Sequence, residues 1–231
     1  MATSGTAVFN PDILVLVEEA FEQAGSELRS GYDLRTARRS LDLIAQEWSN
    51  RGYNLWTVEA GTQLLTAGTA TYTLPADTID LVEHLIRTDS GDTTLQADYH
   101  LQRLSLPSYA DITNKLVQGR PLQIYIDRQV DAPTVTLWPV PDSTQTYTLA
   151  YWRIRRIEDA GVDGTNTYDV PSRFIPALIA ALAYRIAVKK PELQQRVPFL
   201  QAEAERQWDL ASGEDRVKAS VRFVPHASYK L

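Results

Sequence analysis

Arg35, Arg38 and Arg39 stand close together in this chain. Clustered guanidinium groups are the chemistry that grips phosphates or carboxylates with paired hydrogen bonds. Arg38 lies four residues before Asp42, the spacing of an ion pair within one helix, and a salt bridge between subunits is an equally good home for the cluster. Glu18, Glu19, Glu22 and Glu47 could in principle supply the paired carboxylates of a glycoside hydrolase, but on amphipathic helices such residues make a solvated face. His84, His100 and His226 fall in a strand, a loop and the tail, without the HxxxH or HxH spacing of a metal site. No GxSxG elbow, GxxxxGK[ST] loop or GxGxxG turn occurs, so neither a catalytic centre nor a cofactor is expected. Trp48, Trp56, Trp138, Trp152 and Trp208 are scattered over helices and strands, which suits packing better than a platform for stacked bases.

The elements that must position these residues are bounded by composition. A chain of 231 residues can bury a sizeable core without disulfides or metal, and it contains no cysteine, which fits folding in a reducing cytoplasm. The opening Met1-Ala2-Thr3-Ser4-Gly5-Thr6 lacks the basic and apolar regions of a signal peptide, so export is not expected. The apolar run from Ala177 to Val188 is interrupted by Tyr184 and Arg185 and is too short to span a bilayer. A net charge of -6 argues against a protein that wraps nucleic acid tightly, but not against a channel through which DNA merely passes.

Asn10-Pro11 reads as cap and first position of a helix whose apolar stripe is Ile13, Val17, Ala20, Phe21, Ala24 and Leu28, with Gly31 as the stop. Asp33 then caps a second helix with Ala37, Leu41, Ile44, Ala45 and Trp48 inward and Gly52 after its end. From Thr57 the pattern becomes alternating and β-like, predicting strands over 57–65, 69–74, 79–88, 123–128, 134–138 and 146–155. A short helix fits within 101–116, limited by Pro107. Helical spacing returns after a Gly- and Asp-rich loop at 159–167. An alanine-rich central helix, apolar almost all round, follows, starting from a Ser172 cap or nearer Ile175. Pro191 ends it, and a further helix runs to about Ala211 with a kink expected at Pro198.

The simplest architecture is α+β: a four-helix bundle with a β-rich segment inserted between helices two and three, and an extended C-terminal arm. The units expected are a helical hairpin over 1–56, the β-rich insertion over 57–158, a second hairpin over 159–212 and the arm over 213–231. The arm is too polar to build a core. Arg216, Lys218 and Arg222 give it charge and Val221, Phe223 and Val224 give it apolar anchors, the make-up of a segment that orders on binding.

Several stretches carry a family resemblance: Leu41-Asp42-Leu43-Ile44-Ala45-Gln46-Glu47-Trp48-Ser49-Asn50-Arg51-Gly52-Tyr53-Asn54-Leu55-Trp56, then Tyr72-Thr73-Leu74-Pro75-Ala76-Asp77, then Val135-Thr136-Leu137-Trp138-Pro139-Val140-Pro141-Asp142 with Tyr147-Thr148-Leu149-Ala150-Tyr151-Trp152. They close with Val170-Pro171-Ser172-Arg173-Phe174-Ile175-Pro176-Ala177-Leu178 and Ala202-Glu203-Ala204-Glu205-Arg206-Gln207-Trp208. In their order and spacing over residues 10–215 they resemble the head-to-tail adaptors beneath the portals of short-tailed bacteriophages, tail accessory factors of podovirus type. The resemblance implies a virion protein made in the host cytoplasm, a ring of about twelve copies. This connector would dock on the portal protein after genome packaging, extend the channel used in DNA ejection and present a platform to the tail nozzle. It implies an arm, residues 213–231 here, that reaches the portal, and a β-rich segment that meets the nozzle, a tail fibre or spike, or its neighbours. Genomic DNA would pass without sequence-specific binding, and no membrane is involved. Two alternatives stay open: a tail tubular ring further from the head, and an adaptor with accessory peptidoglycan hydrolase activity.

Overall fold

The computed structural model describes residues 5, 9–52, 55–162, 164–216 and 218. Helix α1 (Ile13–Ala24) starts two residues after the proline expected to open it. Asp12 is the cap, its carboxylate accepting from the Val15 N–H at 2.9 Å. The N–H groups of Ile13 and Leu14 are taken by the carbonyls of Asn166 and Gly164, so the Gly- and Asp-rich loop closes the helix start. Gly25, left-handed at φ 85°, ends it well before Gly31. Helix α2 (Gly31–Arg51) is capped by Ser30, whose hydroxyl bonds the Asp33 N–H, and buries Ala37, Leu41, Ile44, Ala45 and Trp48 as its spacing predicts.

Eight strands follow: β1 (Val58–Leu64), β2 (Thr71–Thr73), β3 (Thr78–Thr88), β4 (Ala97–His100), β5 (Gln102–Leu104), β6 (Gln123–Asp127), β7 (Thr134–Trp138) and β8 (Tyr147–Arg155). A short helix α3 (Leu106–Ala110) is capped by Ser105 and stacks Tyr109 on Tyr125 of β6. The strands form two four-stranded sheets, β1-β8-β3-β4 and β2-β7-β6-β5, antiparallel except for the β5–β6 pair. Leu81, Ile86, Tyr147, Leu149 and Tyr151 from the first sheet share one core with Ile124, Ile126, Val135 and Leu137 from the second. The central region is thus a β-sandwich. Strands β4 and β5 lie where a loop and a short helix were expected, so His100 is a strand residue. Its exposed, polar neighbours gave no alternation to read.

Helices α4 (Ile175–Lys189) and α5 (Val197–Glu214) complete the chain, each entered through a 3₁₀ turn, at 172–174 and 191–196. Pro176 and Pro198 both sit in the first turn of their helices, where no N–H is needed; the kink expected at Pro198 is therefore absent.

The four-helix bundle is overturned. The described residues hold five α-helices, four at the chain's two ends and the short α3 among the strands, and the packing of the four is not mutual. α4 is the hub: α1, α2 and α5 each pack mainly on it, and α1 touches α2 only narrowly. The reason is the apolar surface of α4, where Ile175, Ala177, Leu178, Ala180, Leu182, Ala183, Ile186 and Ala187 are all buried and must be covered from several sides. α5, by contrast, buries only Leu200 and Ala211 and lies at the periphery.

Ion pairs brace one edge of the sandwich and tie it to the loop before α4. Arg153 bonds Asp77 at 2.6 Å and Glu59 at 2.8 Å, while Arg155 bonds Glu59 at 2.7 Å and Asp169 in the loop before α4. The Tyr168 hydroxyl donates to the Leu41 carbonyl of α2 at 3.0 Å.

Candidate functional site

Helix α5 runs through Gly213 to Glu214, so the expected arm begins inside a helix and leaves it only at Asp215. The Asp215 side chain is 4% exposed. Its Oδ2 accepts from the Leu55 N–H at 2.9 Å and its Oδ1 from the Arg173 guanidinium. One carboxylate therefore ties the end of α5 to the turn after α2 and to the turn before α4. Beside it Trp56 and Phe174 lie with ring centroids 4.4 Å apart, Trp48 and Trp208 4.9 Å apart, and Arg51 stands over Trp208 at 5.1 Å. These tertiary contacts hold the point from which the C-terminal segment departs. Past it, Arg216 and Lys218 are exposed, with Lys218 paired to Glu214. Val221, Arg222, Phe223 and Val224 lie outside the described residues.

The arginine cluster divides. Arg38 does not pair with Asp42: it donates to the Val162 carbonyl, and the Asp42 carboxylate accepts from the Ala160 N–H at 2.9 Å. Loop 159–167 competes for both partners, a tertiary contact that helical spacing cannot disclose. Arg35 and Arg39 are exposed and in no ion pair among the described residues; Arg39 reaches only the Thr36 hydroxyl, at 3.5 Å. Burial, then the charges of Arg39 and Arg185, lower the affinity of Lys189 for its proton, which marks this corner as electropositive.

Of the acidic candidates, Glu18, Glu19 and Glu22 are exposed on α1, with Glu19 and Glu22 at the edge of a groove shared with Ile175, Pro176 and Ile179 of α4, and none has an ion-pair partner among the described residues. Glu47 lines a groove of about 440 Å³ between α2, α4 and α5. Burial alone would raise its carboxyl, but hydrogen bonds from Arg51 at 2.7 Å and Arg185 at 2.6 Å outweigh it and hold it below the ordinary 4.5. A general acid needs the opposite shift. His84 is buried in β3, where desolvation and then Arg103 lower its pKa, and its Nδ1 has no partner among the described residues. His226 lies outside the described residues. Within them no group of three or more His, Asp or Glu side chains could hold a metal, and no helix is long and apolar enough to cross a membrane.

Residue-type reading missed the Asp215 clamp and the Arg153–Arg155 network. The second had a signal, because two arginines at period two in a strand share one face. The first had none, since its partners are 42 and 160 positions away.

No curated protein matches the chain significantly. A family model described as SU10 adaptor protein matches residues 16–224, from the middle of α1 through the whole sandwich to beyond α5. The chain therefore belongs to the SU10 adaptor protein family, the structural adaptors of bacteriophage virions.

Proposed function

We propose that the protein is the ring-forming head-to-tail adaptor of a short-tailed phage, docked beneath the portal, extending the DNA channel and carrying the tail nozzle. The observation that carries this is a family match that covers both the helical part and the sandwich. In this reading the segment after the Asp215 clamp is the portal-binding arm, with Arg216, Lys218 and Arg222 meeting acidic groups and Val221, Phe223 and Val224 filling apolar pockets. Subunits meet side by side through heterologous contacts that close, and Arg35, Arg38 and Arg39 belong to that contact. The acidic balance of the chain suits a lumen that DNA slides past without sticking. A non-catalytic role is supported by the low carboxyl of Glu47 in the groove where a hydrolase would want a protonated acid.

Negative-stain imaging of the purified protein mixed with portal tests the reading. Rings seated on the portal are expected, with loss of seating when residues 219–231 are deleted. Binding to nozzle alone would move the protein to a distal tail ring, and seating that survives the deletion would remove the arm from the mechanism.

A further inference from the structure

Helices α1 and α2 each turn one uncovered stripe outward, and the two stripes are complementary. On α1 the side chains of Leu14, Glu18 and Glu22 follow one another at four-residue intervals, all exposed, with Val15 and Glu19 beside them. On α2 the exposed stripe is Arg35, Arg39 and Leu43, again at four-residue intervals, with Tyr32 at its start. Leu14 is 38% and Leu43 49% exposed, more than solubility asks of leucines on helices that bury a full opposite face. None of Glu18, Glu19, Glu22, Arg35 and Arg39 has an ion-pair partner among the described residues. The acids nearest the arginines on α2 are engaged, Asp33 with Ser30 and Asp42 with Ala160.

Each stripe runs over eight residue steps, about 12 Å of helix. Laid antiparallel, they match position for position: Leu14 on Leu43, Glu18 on Arg39, Glu22 on Arg35. Laid parallel, Leu14 meets Arg35 and Glu22 meets Leu43, so only one direction satisfies both charge and apolar surface. Both helices spend their buried faces on the core, with Glu19 and Glu22 at the edge of the groove between α1 and α4; neither stripe finds an ion-pair partner among the described residues of its own chain, and a second copy can supply one.

We propose that α1 of one copy docks antiparallel on α2 of the next through Leu14–Leu43, Glu18–Arg39 and Glu22–Arg35, and that this is the contact that closes the ring. It rests on the ring reading above and names its two faces. Each copy carries both halves, as a heterologous contact requires, and like charges in the wrong pairing repel.

The test uses two charge-reversed full-length chains, R35E/R39E and E18K/E22K, compared with wild type by native mass spectrometry, alone and with portal. Each variant by itself should lose ring population at least tenfold, since every junction then faces like charges. An equal mixture should recover rings of strictly alternating composition, because each junction regains one acidic and one basic face. That recovery also shows that both variants fold. In the cysteine-free background, L14C/L43C should oxidise to a ladder of linked multimers on a non-reducing gel. Wild-type rings accompanied by undiminished rings from either variant would overturn the proposed contact and leave the ring intact. A wild type that stays monomeric even on portal would overturn both.

Discussion

Two residues show how much can hang on one atom. Gly61 in β1 faces Tyr151 of β8 across the ladder, and a Cβ there would stand 2.5 Å from the tyrosine ring. The ring is part of the sandwich core and cannot move freely. Gly61→Ala should therefore cost about 1–3 kcal/mol in urea unfolding, and the cost should largely vanish in a Tyr151→Ala background. Asp215 acts through hydrogen bonds. Asp215→Ala leaves the Leu55 N–H without its acceptor, a loss of about 1–3 kcal/mol, whereas Asp215→Asn keeps an acceptor and should cost less in the same measurement. Part of the Arg173 contribution is recovered from solvent, because that side chain is 41% exposed.

Among the elements, α4 matters most, because three other helices rest on it. Leu182 is fully buried at its centre, and Leu182→Ala should destabilise by about 2–5 kcal/mol. A substitution of similar size at Leu210 of α5, 60% exposed, should change thermal stability little. If the two measurements came out alike, the hub description would be wrong. α5 has the weak amphipathy of an element whose outer surface is free for other work, and its end launches the segment proposed to bind the portal.

In the whole molecule each of the two cores is bordered by ion pairs, Arg153 with Asp77 and Glu59 on the sandwich and Glu47 with Arg51 and Arg185 among the helices, and acid should loosen both. The Arg153 hydrogen bond, against a smaller opposing effect of burial, holds Asp77 below its ordinary 3.8. Glu47 is likewise held below 4.5. A carboxyl depressed in the folded state stabilises the fold above its unfolded pKa and loses that stabilisation as pH falls through the folded one. Thermal stability should be level near neutrality and drop as pH is taken below about 4.5, and Arg153→Leu should flatten that drop. A melting curve independent of pH from 7 to 3 would remove these ion pairs from the stability of the fold.

The sequence alone determined much that is local. Alternation placed strands at 134–138 and 146–155, within a residue of the observed ones, and the inward stripe of α2 was legible because a solvated helix buries one face at fixed spacing. The order of the stretches between Leu41 and Trp208 pointed to the adaptor family for the same reason: it is written along the chain. Other features were decided only by the tertiary structure. Whether Arg38 bonds Asp42 depended on a loop more than a hundred residues away, and whether four helices make a bundle depended on how many sides of α4 needed covering. The exposed stripes of α1 and α2 acquire meaning only once the opposite sides of both helices are seen to be spent on the core. Spacing reports the neighbours along a helix; partners brought in from distant segments are fixed by the competition among all exposed and buried surfaces at once.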